Sequence, residues 1–318
     1  MDRKFIYQEK VKLIRDNIGK VIVGKEEVTD LILTAVIAGG HVLLEDVPGT
    51  GKTMTAKSFA RSIDADFNRI QFTPDMLPSD VTGINYYNQK QGEFTFKKGP
   101  VFSNILLADE INRATPRTQS ALLECMEERQ VTVDGITTPL NKPFIVIATE
   151  NPIETAGTYE LPEAQLDRFL FMLSFGYPEK NEEIGILKRF METSPLDTLD
   201  SVCSGEDIIN MGREAYDVYI HDLILGYIVD IAAKTRTHEN VAIGVSPRGT
   251  LNMVNAVRAY AYIQGRDFVV PEDVVTLAPY TFAHRLVLKR GTKKSELKRA
   301  IINEVLGTVQ VPTEDWNR

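Results

Sequence analysis

The sequence predicts an α/β fold, a parallel sheet covered by helices and followed by a mainly helical region, and three observations predict it. Short apolar runs alternate with segments of helical periodicity through the first half of the chain. A glycine-rich turn stands between the first such run and the next helical segment. Beyond Gly176-Tyr177-Pro178 the strand signals fade and helical spacing takes over.

Taken in order, residues 8–18 and 25–38 carry apolar positions at helical spacing, and Gly39-Gly40 stops the second run before the β-rich HVLLE. That strand runs into VPGTGKT, after which residues 54–63 read as a helix. Further strands are expected at 67–72, 105–109, 144–149 and 169–175. Two hairpins interrupt the alternation. Residues 84–98 alternate polar and apolar side chains around Gln91-Gly92, and residues 129–140 turn at Asp134-Gly135. Helices are expected over 179–191, 206–217, 222–235, 247–264 and 271–287, with 193–205 as a loop-like connector. The expected division is a core over residues 1–176 and a helical domain over 177–318.

Composition narrows the function classes. A chain of 318 residues with 43% hydrophobic and 25% charged residues can bury a sizeable core. A net charge of -8 gives no overall electrostatic footprint for nucleic acid. Cys125 and Cys203 lack metal-ligand spacing, which favours a reducing compartment. MDRKFIYQEK has no apolar signal core, and Gly39, Gly40 and His41 interrupt the greasiest stretch, so a cytoplasmic protein without membrane insertion is expected. His41, His221, His238 and His284 are scattered and read as structural or surface residues. Tyr86, Tyr87, Phe94 and Phe96 lie near Lys97 and Lys98, but read as one packed hairpin face rather than as a base-stacking platform.

LLEDVPGTGKT nearly spells a phosphate-binding loop, with Asp46 where the G-x-x-x-x-G-K-[ST] pattern has its first glycine. A bare Gly-Lys-[Ser/Thr] arises by chance in on the order of one chain in six of this length. The loop therefore needs support from elsewhere in the chain. Gly49 and Gly51 let successive N–H groups converge on phosphate oxygens, Lys52 supplies charge, and Thr53 offers a hydroxyl to Mg²⁺. Asp46, at the strand end, can point away from the phosphates. ILLADE then ends a buried strand in two acids, Asp109 to orient Mg²⁺ and Glu110 to polarise an attacking water. Read alone, that pair is equally a strand end followed by a capping acid. In ATENP, Asn151 can bond a terminal phosphate or the water. AQLDRFLF brings Arg168 to the surface before the last strand, and in VSPRG Ser246 caps a helix whose first residues are Pro247 and Arg248.

The ordered set GTGKT, LLADEINRATPRTQSALLECMEE, IATENPIETAGTYELPEAQLDRF and VSPRG resembles the MoxR family of AAA+ ATPases over nearly the whole chain. EINRA followed by PEAQLDRF is far more specific than the loop. The resemblance implies a P-loop α/β core with a five-stranded parallel sheet in the order 5-1-4-3-2, inserted β-hairpins and a C-terminal all-α lid. Carried over by position, it implies ATP and Mg²⁺ held by the loop residues Pro48, Gly49, Thr50, Gly51, Lys52, Thr53 and Met54 together with Asp109. Glu110 becomes the base, Asn151 sensor 1, Arg168 the arginine finger and Arg248 sensor 2. VIVGKEE, with Val23 and Gly24, lines the adenine pocket. An acid such as Asp46 is frequent in the family, whereas Glu150 stands where many relatives have Gln. Arg113 and Arg117 are alternative residues for reaching a neighbouring subunit.

What the resemblance implies for function is a Mg-dependent ATPase that assembles into a ring, with a hexamer expected, and remodels or activates client proteins or complexes. Such chaperones often work with partners carrying a von Willebrand factor A domain. An AAA+ nucleic-acid motor and a metal-chelatase ATPase subunit are the competing readings, and no nucleic-acid partner is expected.

Overall fold

The computed structural model describes residues 5–45, 49–151, 157–191, 194–289 and 295–312. Asp46 and Pro48, expected in the phosphate loop, lie outside the described residues.

Two helices precede the sheet, α1 (Glu9–Gly19) and α2 (Glu26–Ala38). α2 is buried from Leu31 to Ile37 because it lies between the sheet and the later helices α8 (Gly205–Tyr216) and α10 (Pro247–Ile263). It closes at Gly39, whose φ of 67° is left-handed, with the Gly40 amide donating to Ala35 O at 2.8 Å.

The chain then alternates as expected. β1 (Val42–Glu45) leads to α3 (Lys52–Ser62) and β2 (Phe67–Gln71). The short α4 (Pro78–Thr82) and the hairpin of β3 (Gly83–Asn88) and β4 (Glu93–Lys98) precede β5 (Ile105–Asp109). After α5 (Pro116–Glu128) comes the second hairpin, β6 (Gln130–Val133) and β7 (Ile136–Pro139), and then β8 (Ile145–Glu150). α6 (Glu163–Leu166) leads into β9 (Phe171–Leu173).

β1, β2, β5, β8 and β9 form one parallel sheet in the order β2-β5-β8-β1-β9. Counting only these strands, that is the order 5-1-4-3-2. Side chains alternate across the sheet with period two. Val42, Leu44, Ile105, Leu107, Ile145 and Ile147 enter the core shared with α1, α2, α3 and the later helices. Leu43, Leu106, Ala108, Val146 and Ala148 enter a second core, closed by Leu122, Leu123, Cys125 and Met126 of α5. Burial on both faces is why these strands read as continuous apolar runs.

The remaining helices are α7 (Lys180–Phe190), α8, α9 (Asp222–Thr237), α10, α11 (Pro271–Phe282) and α12 (Ser295–Thr308). The helical region is not wholly α: β10 (Val241–Ile243) pairs antiparallel with β11 (Val287–Leu288). The expected helix over 271–287 therefore stops early, in a 3₁₀ turn over Ala283–Arg285 that points two polar side chains inward. Among the described residues no helix is long and apolar enough to cross a membrane.

Both hairpins match their turn signals. Asp134 and Gly135 have φ of 50° and 79°, the pair of positive values that a two-residue hairpin turn needs. The hairpins touch through Asn85 Nδ2, which donates to Asp134 Oδ2 at 2.8 Å. Their aromatics do not make one packed face. Phe96 stacks edge-on with Phe102 and Tyr87 edge-on with Phe94, while Tyr86, Tyr87 and Phe94 stay exposed.

Candidate functional site: a carboxylate row at one sheet edge and an arginine pair at the other

β1, β5 and β8 end level with one another at the C-terminal edge of the sheet, where ligands bind in open α/β sheets. Leaving this edge, the chain turns through Gly49 and Gly51, with φ of 86° and 95°, into the N-terminus of α3. The N-cap position is Gly51, which has no side chain to cap the amides that open this eleven-residue helix. Lys52, Thr53 and Met54 are its first residues and are half-buried, as is Thr50.

Asp109 and Glu110 are joined by a residue that the sequence reading passed over. Thr149 Oγ1 donates to Asp109 Oδ1 at 2.6 Å and accepts from the Glu110 amide at 2.8 Å. The other Asp109 oxygen takes Arg69 Nη2 at 2.7 Å. Glu110 has φ of 55° and ψ of 50°, a left-handed conformation costing on the order of 1 kcal/mol for a non-glycine residue. The Thr149 bond holds it there, and Arg113 Nη1 binds Glu110 Oε2 at 2.9 Å. Strand register is the signal that would have found Thr149, because β5 and β8 pair Ala108 with Ala148, which sets Asp109 beside Thr149.

Glu45 and Glu150 pair across β1 and β8, so the same edge carries further acids. Burial, with Glu45 and Glu160 nearby, pushes the Glu150 carboxyl up to about 7. Asn151 follows immediately, buried, and its carbonyl accepts from Asn112 Nδ2 at 3.4 Å. Val23 and Gly24 lie against α7: a Cβ on Gly24 would collide with the Glu182 carboxylate, and Arg189 Nη1 donates to Gly19 O at 2.6 Å.

Arg168 and Arg248 are not at this edge. Phe171 pairs with Val42, the first residue of β1, and the Leu170 amide donates to His41 O at 2.8 Å, which sets Arg168 beyond the N-terminal edge. The four-residue β1 alone separates the two edges by about 13 Å. Arg168 Nη1 donates to Leu123 O at 2.6 Å and meets Glu127 Oε2 at 3.1 Å, near the C-terminal end of α5. Arg248, on the first turn of α10 behind the Ser246 cap (Gly249 amide to Ser246 Oγ, 3.2 Å), binds the other Glu127 oxygen. One carboxylate thus gathers two arginines from distant parts of the chain, and they share a hollow of about 330 Å³ with His41, Arg129 and Asn252. The two alternative arginines behave differently: Arg113 is committed to Glu110, and Arg117 opens α5.

No cluster of three or more His, Cys, Asp or Glu suited to a metal ion occurs among the described residues. Cys125 and Cys203 are both buried, and burial pushes each thiol up to about 12, so neither is a nucleophile. His41 is a structural residue: its Nδ1 accepts from the Val146 amide at 2.9 Å, and burial drives its pKa well below the usual histidine range.

Comparison with known proteins shows the family. Residues 41–171 match the ATPase family associated with various cellular activities (AAA), and residues 233–305 match the AAA lid domain. The chain is 52% identical over 300 residues to the uncharacterized protein YeaC of Bacillus subtilis, covering 94% of each. It is 43% identical over 303 residues to Chaperone MoxR1 of Mycobacterium tuberculosis, covering 92% of this chain and 80% of that one. A crystal structure from Cytophaga hutchinsonii, described provisionally as an ATPase, superposes with a TM-score of 0.89 at 39% identity, covering 96% of both chains. The chain belongs to the MoxR family of AAA+ ATPases.

Proposed function

We propose that the protein hydrolyses ATP at sites shared between adjacent subunits of a ring, taken to be a hexamer, and uses the resulting motion to remodel client proteins. One observation carries the reading: the Asp109–Thr149–Glu110 linkage stands at the edge from which the glycine turn springs, while Arg168 and Arg248 are gathered at the opposite edge.

The donor set at the first edge suits a Mg-bound triphosphate. The Thr53 hydroxyl and the Asp109 carboxylate are hard oxygen donors, and a helix N-terminus opened by glycine and carrying Lys52 suits polyphosphate. Bound there, Mg²⁺ would neutralise charge on the phosphate oxygens. Loop amides over Gly49–Met54 and Lys52 hold the phosphates, and Val23 and Gly24 line the base. Glu110, fixed by Thr149 and Arg113, takes the proton of the attacking water as its oxygen bonds to the terminal phosphorus. The bond to the bridging oxygen breaks, and ADP and phosphate leave. Asn151 orients the water or the terminal phosphate.

Arg168 and Arg248 cannot reach this site in their own chain, because the sheet stands between. They act on a neighbour's nucleotide, where a trans arginine is worth about 10³ to 10⁵ in rate. Glu127 holds both guanidinium groups until phosphate competes for them. The core extends to residue 176 and the helical domain follows. Movement between them displaces the linked hairpins, whose exposed Tyr86, Tyr87, Phe94 and Ile136 contact clients. A separate polypeptide with a von Willebrand factor A domain is the expected class of partner, and the machine works in the cytoplasm.

The test separates binding from chemistry. Lys52→Ala is expected to lose ATP binding in calorimetry, whereas Glu110→Gln keeps binding and loses phosphate release. Wild-type turnover by Glu110→Gln would remove Glu110 from the role of base.

A further inference from the structure

The segment that carries Arg168 is tied to the helical region by one buried side chain, Arg285, in the 3₁₀ turn after α11. Its Nε donates to Asp167 Oδ1 at 2.7 Å. Its Nη2 donates to Asp167 O at 3.2 Å and to Phe169 O at 2.7 Å. Its Nη1 donates to Leu170 O at 3.4 Å and to Thr281 O. All five N–H positions of the guanidinium therefore have acceptors, and four of these belong to Asp167–Leu170. His284 Nε2 lies 3.1 Å from Phe169 O and 2.9 Å from Arg285 Nη1, so it donates to the carbonyl in one tautomer and accepts from the guanidinium in the other.

The same clamp reaches Arg248. The second Asp167 oxygen lies 3.5 Å from Ser246 Oγ, the cap of α10, and 4.0 Å from Arg248 Nε. Gly249, one residue on, leaves space that Val245 and Arg285 share, since a Cβ there would sit 2.7 Å from Val245 Cγ1 and 2.9 Å from Arg285 Cδ. Asp167 thus joins three arginines: Arg285 by a direct ion pair, Arg248 at longer range, and Arg168 as its neighbour in the chain.

We propose that Arg285 is a positioning residue for hydrolysis in the adjacent subunit, locking Asp167–Leu170 to the helical region so that Arg168 and Arg248 are presented as one rigid pair. The proposal rests on the trans reading given above. It has a mechanical consequence: movement of the helical region carries Arg168 with it, so both arginines engage or leave a neighbour's nucleotide together. Lysine cannot replace this fork, having three donors on one atom where Arg285 directs five from three.

The test uses the full chain. Arg285→Met removes every donor at similar length, and Gly249→Ala pushes both Val245 and the Arg285 stem without removing the charge. Fluorescent ATP binding, assembly by light scattering and phosphate release are measured for each variant alone and mixed with Lys52→Ala, which keeps the clamp intact. The expected result for Arg285→Met is unchanged ATP affinity and assembly. Its kcat falls about 100-fold, the scale of a 1 Å misplacement, without a matching rise in KM. Phosphate release recovers on mixing, and Gly249→Ala gives a smaller loss with the same recovery. If Arg285→Met fails to fold, Arg285→Lys, which keeps the charge and loses the fork, decides instead, with the same loss and recovery expected. Arg168→Ala mixed with Lys52→Ala is the control. Recovery in that control without recovery for the clamp variants, or loss of ATP binding by a folded clamp variant, overturns the assignment of Arg285. Failure of the control overturns the trans reading itself, and the positioning role with it.

Discussion

Replacing Glu150 with Gln should stabilise the nucleotide-free protein, and only at higher pH. Glu150 ends β8 beside Glu45, and its carboxyl is raised from 4.5 to about 7 by burial and by the charges of Glu45 and Glu160. Below the lower value both folded and unfolded chains are protonated at this position, and it costs nothing. As pH rises through the window from 4.5 to about 7, the unfolded chain gives up the proton first, so stability falls; above the window the full penalty is present. A shift of that size corresponds to about 3 kcal/mol, and partial solvent access lowers it to roughly 1–3 kcal/mol. For a chain of this size each kcal/mol moves Tm by about 2 °C. Calorimetric melts in EDTA should give Glu150→Gln a Tm about 2–6 °C above wild type at about pH 8, and almost no difference at about pH 4. A difference that is the same at both pH values would refute the reasoning, as would a Gln variant that is less stable at the higher one.

Three further outcomes follow from the geometry. Thr149→Val, nearly isosteric, strands the Glu110 amide and an Asp109 oxygen; urea unfolding should show a loss of about 1–3 kcal/mol, with kcat falling more than ATP affinity. Gly51→Ala meets no atom of the described residues within 4 Å but must hold φ of 95°, so a stability loss of about 1–3 kcal/mol and weaker ATP binding in calorimetry would come from the backbone. Cys125 and Cys203, with thiols pushed up to about 12, should resist iodoacetamide in the native protein and react in urea, as mass spectrometry would register.

The features legible in the sequence were those set by short-range chemistry. Ile105–Asp109 is the strand expected, because its apolar run ends at the first charge. Asp134-Gly135 fixes a hairpin through backbone preference alone, and Ser246-Pro247 starts a helix. Four helices, the short α4 and α6 and the longer α5 and α12, and the β10–β11 pair were not among the expected elements. α5 carries its helix signal in Pro116 followed by Leu122, Leu123 and Met126, within the same stretch as the LLADEINRA motif. β10 and β11 have three and two residues and pair across more than forty positions, which leaves no local pattern. In the candidate site, the identities of Lys52, Asp109 and Glu110 could be named from spacing, whereas Thr149 and Arg69 needed strand register. That Arg168 and Arg248 share Glu127 on the far edge, with Arg285 beneath them, depends on tertiary packing between segments more than a hundred residues apart.

The most direct measurement of the shared-site account is phosphate release per subunit as a function of total subunit concentration, with assembly followed by light scattering in the same samples. If Arg168 and Arg248 complete a neighbour's site, activity per subunit rises with concentration in step with assembled mass. A rate per subunit that stays constant from dilute monomer to assembled protein would mean that each chain carries a complete site and would contradict the account.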